Sequence, residues 1–415
     1  MAQAETHRAI EAVWRIEQAK LIAGLTRLTR DVGLAEELAQ DALVAALERW
    51  PEEGLPERPG AWLLATAKHR AVDRLRKQSL HQRKQDAIAY EIETEAEAAD
   101  IDTAIDDDIG DDLLNLIFIA SHPVLSVEAC LALTLRLLGG LTTPEIARAF
   151  FTAEPTIAQR IVRAKRTLTE AHIPFEVPRG AEREERIASV LQVLYLIFNE
   201  GYAATSGDDW MRPQLCDEAI RLARILAGLV PNEPEVHGLL ALMEIQASRF
   251  AARTAPDGTP ILLLDQNRAR WDRLLIRRGL NALARAEALA DRPGPYVLQA
   301  AIAACHARAP TADATDWTLI AKLYGVLGRL TPSPVIEINR AVAVSFAESP
   351  AAGLAILDGL SEEPQLKSYH LLPSVRGDLL AKLGRHDEAR NEFTRAASLA
   401  TNNRERDLLL ARVKN

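Results

Sequence analysis

Cysteine is scarce in this chain, with three residues in 415, and Cys130, Cys216 and Cys305 stand far apart. That spacing excludes a disulfide framework and any Cys-based metal motif, and predicts a reducing cytosolic setting. Aromatic residues make up only 5% of the chain. No apolar run approaches the roughly eighteen residues needed to span a bilayer. The N-terminal stretch MAQAETHRAIEAVWR lacks the basic, apolar and small-residue order of a signal peptide. Net positive charge is missing too. The balance is −9, so any contact with nucleic acid must come from local patches rather than bulk attraction. Phosphate loops, nucleophile elbows, defensible paired-acid constellations and metal-spaced histidines are also absent. The expectation is therefore a non-enzymatic protein with no metal and no cofactor.

What is present is Ala, Leu, Arg and Glu in abundance, with 48% hydrophobic and 26% charged residues. This composition suits an all-α protein of several domains. The most informative stretch is LTTPEIARAFFTAEPTIAQRIVRAKR, residues 141–166. Thr142 or Thr143 can cap a short helix that has Pro144 in its first turn. A second helix is predicted from near Glu154. In it Ile157, Ile161, Ala164 and Leu168 share one buried stripe. Thr156, Gln159, Arg160, Arg163 and Arg166 fall on the opposite side, with Lys165 beside them. An apolar back and a Gln/Arg front suit the DNA major groove. The turn, Phe150 to Ala153, has no Gly, and a plain helical hairpin is the competing reading.

A second basic helix lies about eighty residues upstream. AWLLATAKHRAVDRLRK, residues 61–77, has Leu64, Ala67, Ala71 and Leu75 on its buried side and Arg70, Arg74 and Lys77 on another. From Lys68 to Lys84 there are seven Lys or Arg and one acid. In an acidic protein this favours phosphate contact over a merely solvated face. The helix follows a Pro- and Gly-punctuated loop, residues 51–60. Before that loop, EELAQDALVAALERW carries Leu34, Leu38, Ala42 and Ala45 along one side and Glu37, Asp41 and Glu48 along another. Residues 91–112 contain eleven acids and no Lys or Arg. By composition they read as a solvated tether.

Residues 10–170 resemble bacterial sigma factors of the extracytoplasmic-function class. The resemblance rests on three motifs in order: AEELAQDALVAALERW, PERPGAWLLATAKHRAVDRLRK and the stretch at 141–166. It implies a first sigma domain (region 2, residues 1–88), an acidic linker (89–112) that mimics nucleic acid in a polymerase channel, a reading of equal weight with the solvated tether, and a second sigma domain with a helix-turn-helix (region 4, 113–173). It implies core RNA polymerase as partner, through the clamp of the largest subunit and the flap, with Glu37, Asp41, Leu43 and Leu47 at the clamp. It implies promoter DNA as the other partner. Base capture at the −10 element falls to Glu57, Arg58 and Pro59, beside Trp62, which also reads as core. Phosphate contacts there fall to Lys68, Arg70, Arg74, Arg76 and Lys77. The −35 element falls to Thr156, Gln159, Arg160, Arg163, Lys165 and Arg166. A cytoplasmic location, with association with the nucleoid during initiation, is implied in the same way.

After a Pro-bearing linker (174–185), residues 186–415 read as successive helices. Ala389, Phe393 and Ala396, with Gly377 twelve residues before Ala389, match the small and aromatic positions of a tetratricopeptide repeat. Cys216–Leu242 matches in part. An irregular tetratricopeptide-like array is expected. LYLIFNEGY (194–202), LDQNRARWDR (264–273), GPYVLQAAIAACHA (294–307), TDWTLIAKLY (315–324), SPVIEINRAVAV (333–344) and YHLLPSVRGDLLAKLGRHDEA (369–389) resemble those sigma factors that carry such an extension. The resemblance implies a regulatory role, with a regulatory peptide or protein as a further partner. Asn199, Glu200, Tyr202, Asp265, Gln266, Asn267, Arg268, Trp271 and Asp272 read either as interhelix bonding or as a groove for a peptide or small ligand. The alternative for the whole chain is a stand-alone helix-turn-helix regulator that senses a ligand or peptide through its repeats.

Overall fold

The structure is a computed structural model and describes residues 2–85, 105–150, 152–203, 211–256 and 259–413. Among these, helices account for the regular structure, and Thr254 and Pro260 form an isolated β-bridge. The chain divides into two units, residues 1–193 and 194–415.

The first unit contains α1 (Ala2–Thr29), α2 (Val32–Glu53), α3 (Pro59–Gln85), α4 (Ile105–Ala120), α5 (Val127–Leu137), α6 (Thr143–Ala149), α7 (Glu154–Glu170) and the start of α8 (Gly180–Tyr202). α1 packs on α2, α3 and α4. Ile22, Leu25, Leu38, Ala42, Trp50, Leu63, Ala67, Ala71, Leu116 and Ile117 are buried there. α1 and α2 are separate because Arg30 takes a left-handed φ of 54°. Asp31 then caps α2, accepting from the Leu34 N–H at 2.9 Å.

Two boundaries differ from the sequence reading. α2 continues through Pro51 to Glu53, because a proline in the last turn removes only one main-chain bond. Gly54, at φ 89°, closes it by donating its N–H to the Trp50 carbonyl at 3.0 Å. α4 begins at Ile105, inside the segment read as linker. The rest of that acidic segment, residues 91–104, lies outside the described residues.

α5 is capped by Ser126 and ends at the expected glycine pair. Gly140 has φ 71°, and a Cβ there would lie 2.5 Å from the Gln18 amide nitrogen. Only glycine fits on both counts. Arg186 of α8 is buried and donates to the Phe118 carbonyl at 3.0 Å, tying α8 to α4.

The second unit contains the end of α8, then α9 (Pro213–Leu229), α10 (Pro234–Ala247), α11 (Arg273–Leu289), α12 (Pro295–Arg308), α13 (Trp317–Leu330), α14 (Pro334–Ala347), α15 (Pro350–Asp358), α16 (Leu371–Lys382), α17 (His386–Leu399) and α18 (Asn403–Val413). Sequence neighbours pack on each other, as in a stack of helical hairpins. Glycines sit at the close crossings. A Cβ at Gly238 of α10 would meet the Val297 main chain of α12 at 2.7 Å, and one at Gly377 of α16 would meet the Phe393 ring of α17 at 2.7 Å.

Candidate nucleic-acid and polymerase interfaces

α6 and α7 carry the residues read from the sequence as a helix-turn-helix. Thr142 and Glu145 make a complete capping box at the start of α6. The connecting turn manages without glycine. The Thr152 N–H reaches the Ala147 carbonyl at 2.9 Å and its hydroxyl donates to the Phe150 carbonyl at 3.1 Å. Phe151 lies outside the described residues. α7 then presents the expected two faces. Ile157, Ile161, Ala164 and Leu168 are buried. Thr156, Gln159, Arg163 and Arg166 are exposed, and Arg160 is half-buried. Val162, 65% exposed, lies among them. Arg166 donates to Glu170 at 2.6 Å, which raises its already high pKa.

Lys165 is different. Its ammonium pairs with Glu36 of α2, and Arg136 of α5 donates to the same carboxylate at 2.6 Å. Gln40 donates a third bond at 3.0 Å. The Glu36 side chain is only 7% exposed. One buried carboxylate therefore joins α2, α5 and α7. Sequence reasoning missed this residue, yet its signal was present: Glu36 occupies the helical register of Val32, Ala39 and Ala46, all buried. An acid within an apolar stripe needs cations of its own.

The surface of α2 and α3 brings two expected sites face to face. Arg74 lies 3.2 Å from Glu37, and Arg70 lies 3.7 Å from Asp41 while donating to the Asp41 carbonyl at 2.7 Å. The acids read as a polymerase contact thus neutralise the arginines read as a DNA contact. Glu37 and Arg74 are exposed, so such a pair contributes about 0–1 kcal/mol and exchanges readily for another partner. Leu47 is exposed and Leu43 half-buried on the same helix. Glu57 and Arg58 are exposed ahead of α3, and Pro59 opens it. Trp62 is half-buried with its ring 5.3 Å from that of Trp50, edge to face. It is therefore part core and part surface. Lys68 is half-buried. The side chains of Arg76 and Lys77 lie outside the described residues.

In the second unit, most of the polar set read from the sequence is committed to holding loops. Glu200 pairs with Arg212, both about 10% exposed. Asp272 caps α11 by accepting from Leu274 and Leu275 at 2.8 and 3.0 Å. Asn267 accepts from the Ala269 N–H at 3.0 Å. Arg268 is buried, with its guanidinium spent on the His306 and Ala309 carbonyls and the Thr315 hydroxyl. Tyr202 stacks on Phe198 and lies under the guanidinium of Arg253, 3.6 Å from its ring centre. Among the described residues no group of His, Cys, Asp and Glu is arranged to hold a metal. No helix among them is long and apolar enough to cross a membrane.

Comparison with known proteins bears on both units. Residues 14–81 match sigma-70 region 2, the stretch that runs through α1, α2 and most of α3. Residues 186–287 match a family of unknown function, DUF6596. A probable ECF RNA polymerase sigma factor, SigI of Mycobacterium tuberculosis, is 25% identical over 177 residues, covering 43% of this chain and 60% of SigI. No solved structure matches the chain. An uncharacterized protein of Rhizobium meliloti (strain 1021) is 44% identical over 384 residues, covering 92% of this chain and 89% of that protein. The chain carries a sigma-70 region 2 domain followed by a helical unit of uncharacterized type, and it belongs to the same family as the Rhizobium meliloti protein.

Proposed function

We propose that this protein is an RNA polymerase sigma factor of the extracytoplasmic-function type, acting in the cytoplasm. The observation that carries the reading is the sigma-70 region 2 match over the helices where the acidic stripe of α2 meets the basic stripe of α3. Glu37, Asp41, Leu43 and Leu47 bind the polymerase clamp. Glu57, Arg58 and Pro59 take an extruded base of the −10 element, beside Trp62, at an unstacking cost on the order of a few kcal/mol. Lys68, Arg70, Arg74, Arg76 and Lys77 hold the phosphates. α6 and α7 form a helix-turn-helix in which Thr156, Gln159, Arg160, Arg163 and Arg166 read the −35 element, while Lys165, expected from the sequence to join them, is held by Glu36 and anchors α7 instead. The C-terminal helices form a tetratricopeptide-like array that modulates access to polymerase or DNA.

Run-off transcription with purified core polymerase and the full-length protein tests this reading. Specific transcripts that require the protein support it. Sequence-specific DNA binding by the protein alone, with no transcripts, supports the stand-alone regulator instead.

A further inference from the structure

Several arginines of the second unit have carboxylate partners. Arg212 has Glu200, Arg224 has the buried Glu244, and Arg376 has Asp358 and Glu392. The junction of α10, the segment 248–272 and α12 departs from this pattern. Arg249 donates one guanidinium nitrogen to the Tyr202 hydroxyl at 2.5 Å and to the Gln246 side chain at 3.3 Å. Its Nε is buried with no partner among the described residues. Arg268, 8% exposed, bonds carbonyls and a hydroxyl, which carry no compensating charge. Neither arginine makes an ion pair with a carboxylate among the described residues. Two further buried groups there lack partners: the indole N–H of Trp271 (3% exposed) and Nδ1 of His306 (8% exposed).

These groups belong to one place. The Asp272 N–H bonds the Ser248 carbonyl at 2.8 Å, which joins the main chain after Trp271 to the end of α10 ahead of Arg249. Arg268 lies over the Trp271 ring at 4.8 Å and bonds the His306 carbonyl. Arg249 and Arg268 both repel a proton from His306, whose pKa is pushed down to about 4 chiefly by burial. Glu405 also reaches this region, but its carboxylate is engaged with His370 at 3.1 Å. A buried guanidinium with no carboxylate partner carries a charge that a bound anion would compensate. Arg249 and Tyr202 remain half-buried, so the junction is open to solvent on their side.

We infer that Arg249, Trp271 and His306 form a binding site for an oxyanion group, a carboxylate or phosphate borne by a ligand of the second unit. The guanidinium supplies charge and a free Nε–H, the indole supplies a second donor, and the neutral imidazole supplies a third when its Nδ1 carries the proton. The Tyr202 and Phe250 rings, 5.8 Å apart, lie on the half-buried side with Arg249. The site stands on the geometry of the second unit alone and does not depend on the sigma-factor reading.

The test is direct binding by the full-length protein with no polymerase or DNA present. Sodium phosphate and sodium succinate are titrated separately at constant ionic strength, following tryptophan fluorescence and Tm. We expect saturable binding of at least one anion. The anion that saturates identifies a phosphate-bearing or a carboxylate-bearing ligand, and saturation by both identifies a general oxyanion site. We expect Arg249→Gln to weaken it at least tenfold, Arg249→Lys to weaken it while keeping the charge, and the exposed Arg395→Gln to leave it unchanged. If Arg249→Gln fails to fold by circular dichroism, Arg249→Lys carries the comparison. Absence of saturation by either anion overturns the inference, as does equal binding by the Arg249 variants and the wild type.

Discussion

Glu36 and His306 illustrate what burial does to single charged or titratable groups. The Glu36 carboxylate satisfies Arg136 and Lys165 together. Its removal leaves two cations facing each other across α5 and α7. Glu36→Ala is expected to destabilise the protein by about 2–3 kcal/mol in urea denaturation, below the ~3–5 of a fully buried pair because both cations keep some solvent contact. Adding Lys165→Ala to that variant should recover part of the loss, and strict additivity of the two changes would contradict the shared carboxylate. His306 acts through protons. Its pKa is lowered to about 4, by burial first and then by Arg249 and Arg268. The unfolded chain therefore binds a proton below about pH 6.5 that the folded chain refuses. Stability is full above that value and falls as the pH drops toward 4, by about 2 kcal/mol at pH 5. Comparing denaturation midpoints at pH 7 and pH 5 for wild type and His306→Gln checks this, since the variant should lose less on acidification.

At the scale of the element, α7 and the α16–α17 hairpin were the most legible in the sequence. The spacing of Ile157, Ile161, Ala164 and Leu168 specified which face of α7 is buried, and all four are buried. Gly377 and Phe393 stood out as a small and an aromatic position, and they meet across a helix crossing. Gly377→Ala should therefore cost about 1–3 kcal/mol by forcing the Phe393 ring aside, readable as a lower Tm. Helix ends were less legible. Pro51 signals a break, yet α2 runs past it, because its missing N–H falls where little bonding is lost. The exposed front of α7 carries the sharpest functional expectation. Arg163→Ala should lower specific transcription about tenfold or more, in line with the ~1–3 kcal/mol of a good base contact. It should leave polymerase binding intact in a pull-down.

At the scale of the whole molecule, the all-α class and a sigma region 2 domain ahead of a helical C-terminal region were readable from composition and motif order. The pairing of side chains from distant segments was not. Periodicity says which side of a helix faces inward, but not which other helix it meets. Glu36 with Lys165, Arg74 with Glu37, Arg249 with Tyr202, and Arg268 with the His306 carbonyl are all such encounters. Arg249 in particular follows the end of an apolar helix with nothing around it in sequence to mark it, and its hydrogen-bond partner Tyr202 comes from α8, 47 residues earlier.

The pairing of Arg70 and Arg74 with Asp41 and Glu37 means that this molecule carries its own counterions. A cation already neutralised by a tethered carboxylate holds few mobile ions, and so releases few when it meets a phosphate. DNA binding through α3 should therefore depend on salt less steeply than the number of its basic residues suggests. Freeing those arginines with Glu37→Gln and Asp41→Asn should steepen the plot of log K against log salt by up to about two. A polymerase that draws the two acids to itself would do the same work without mutation. It would expose the phosphate-binding cations only once the enzyme is in place, so that the acidic balance of the chain keeps it off DNA until then.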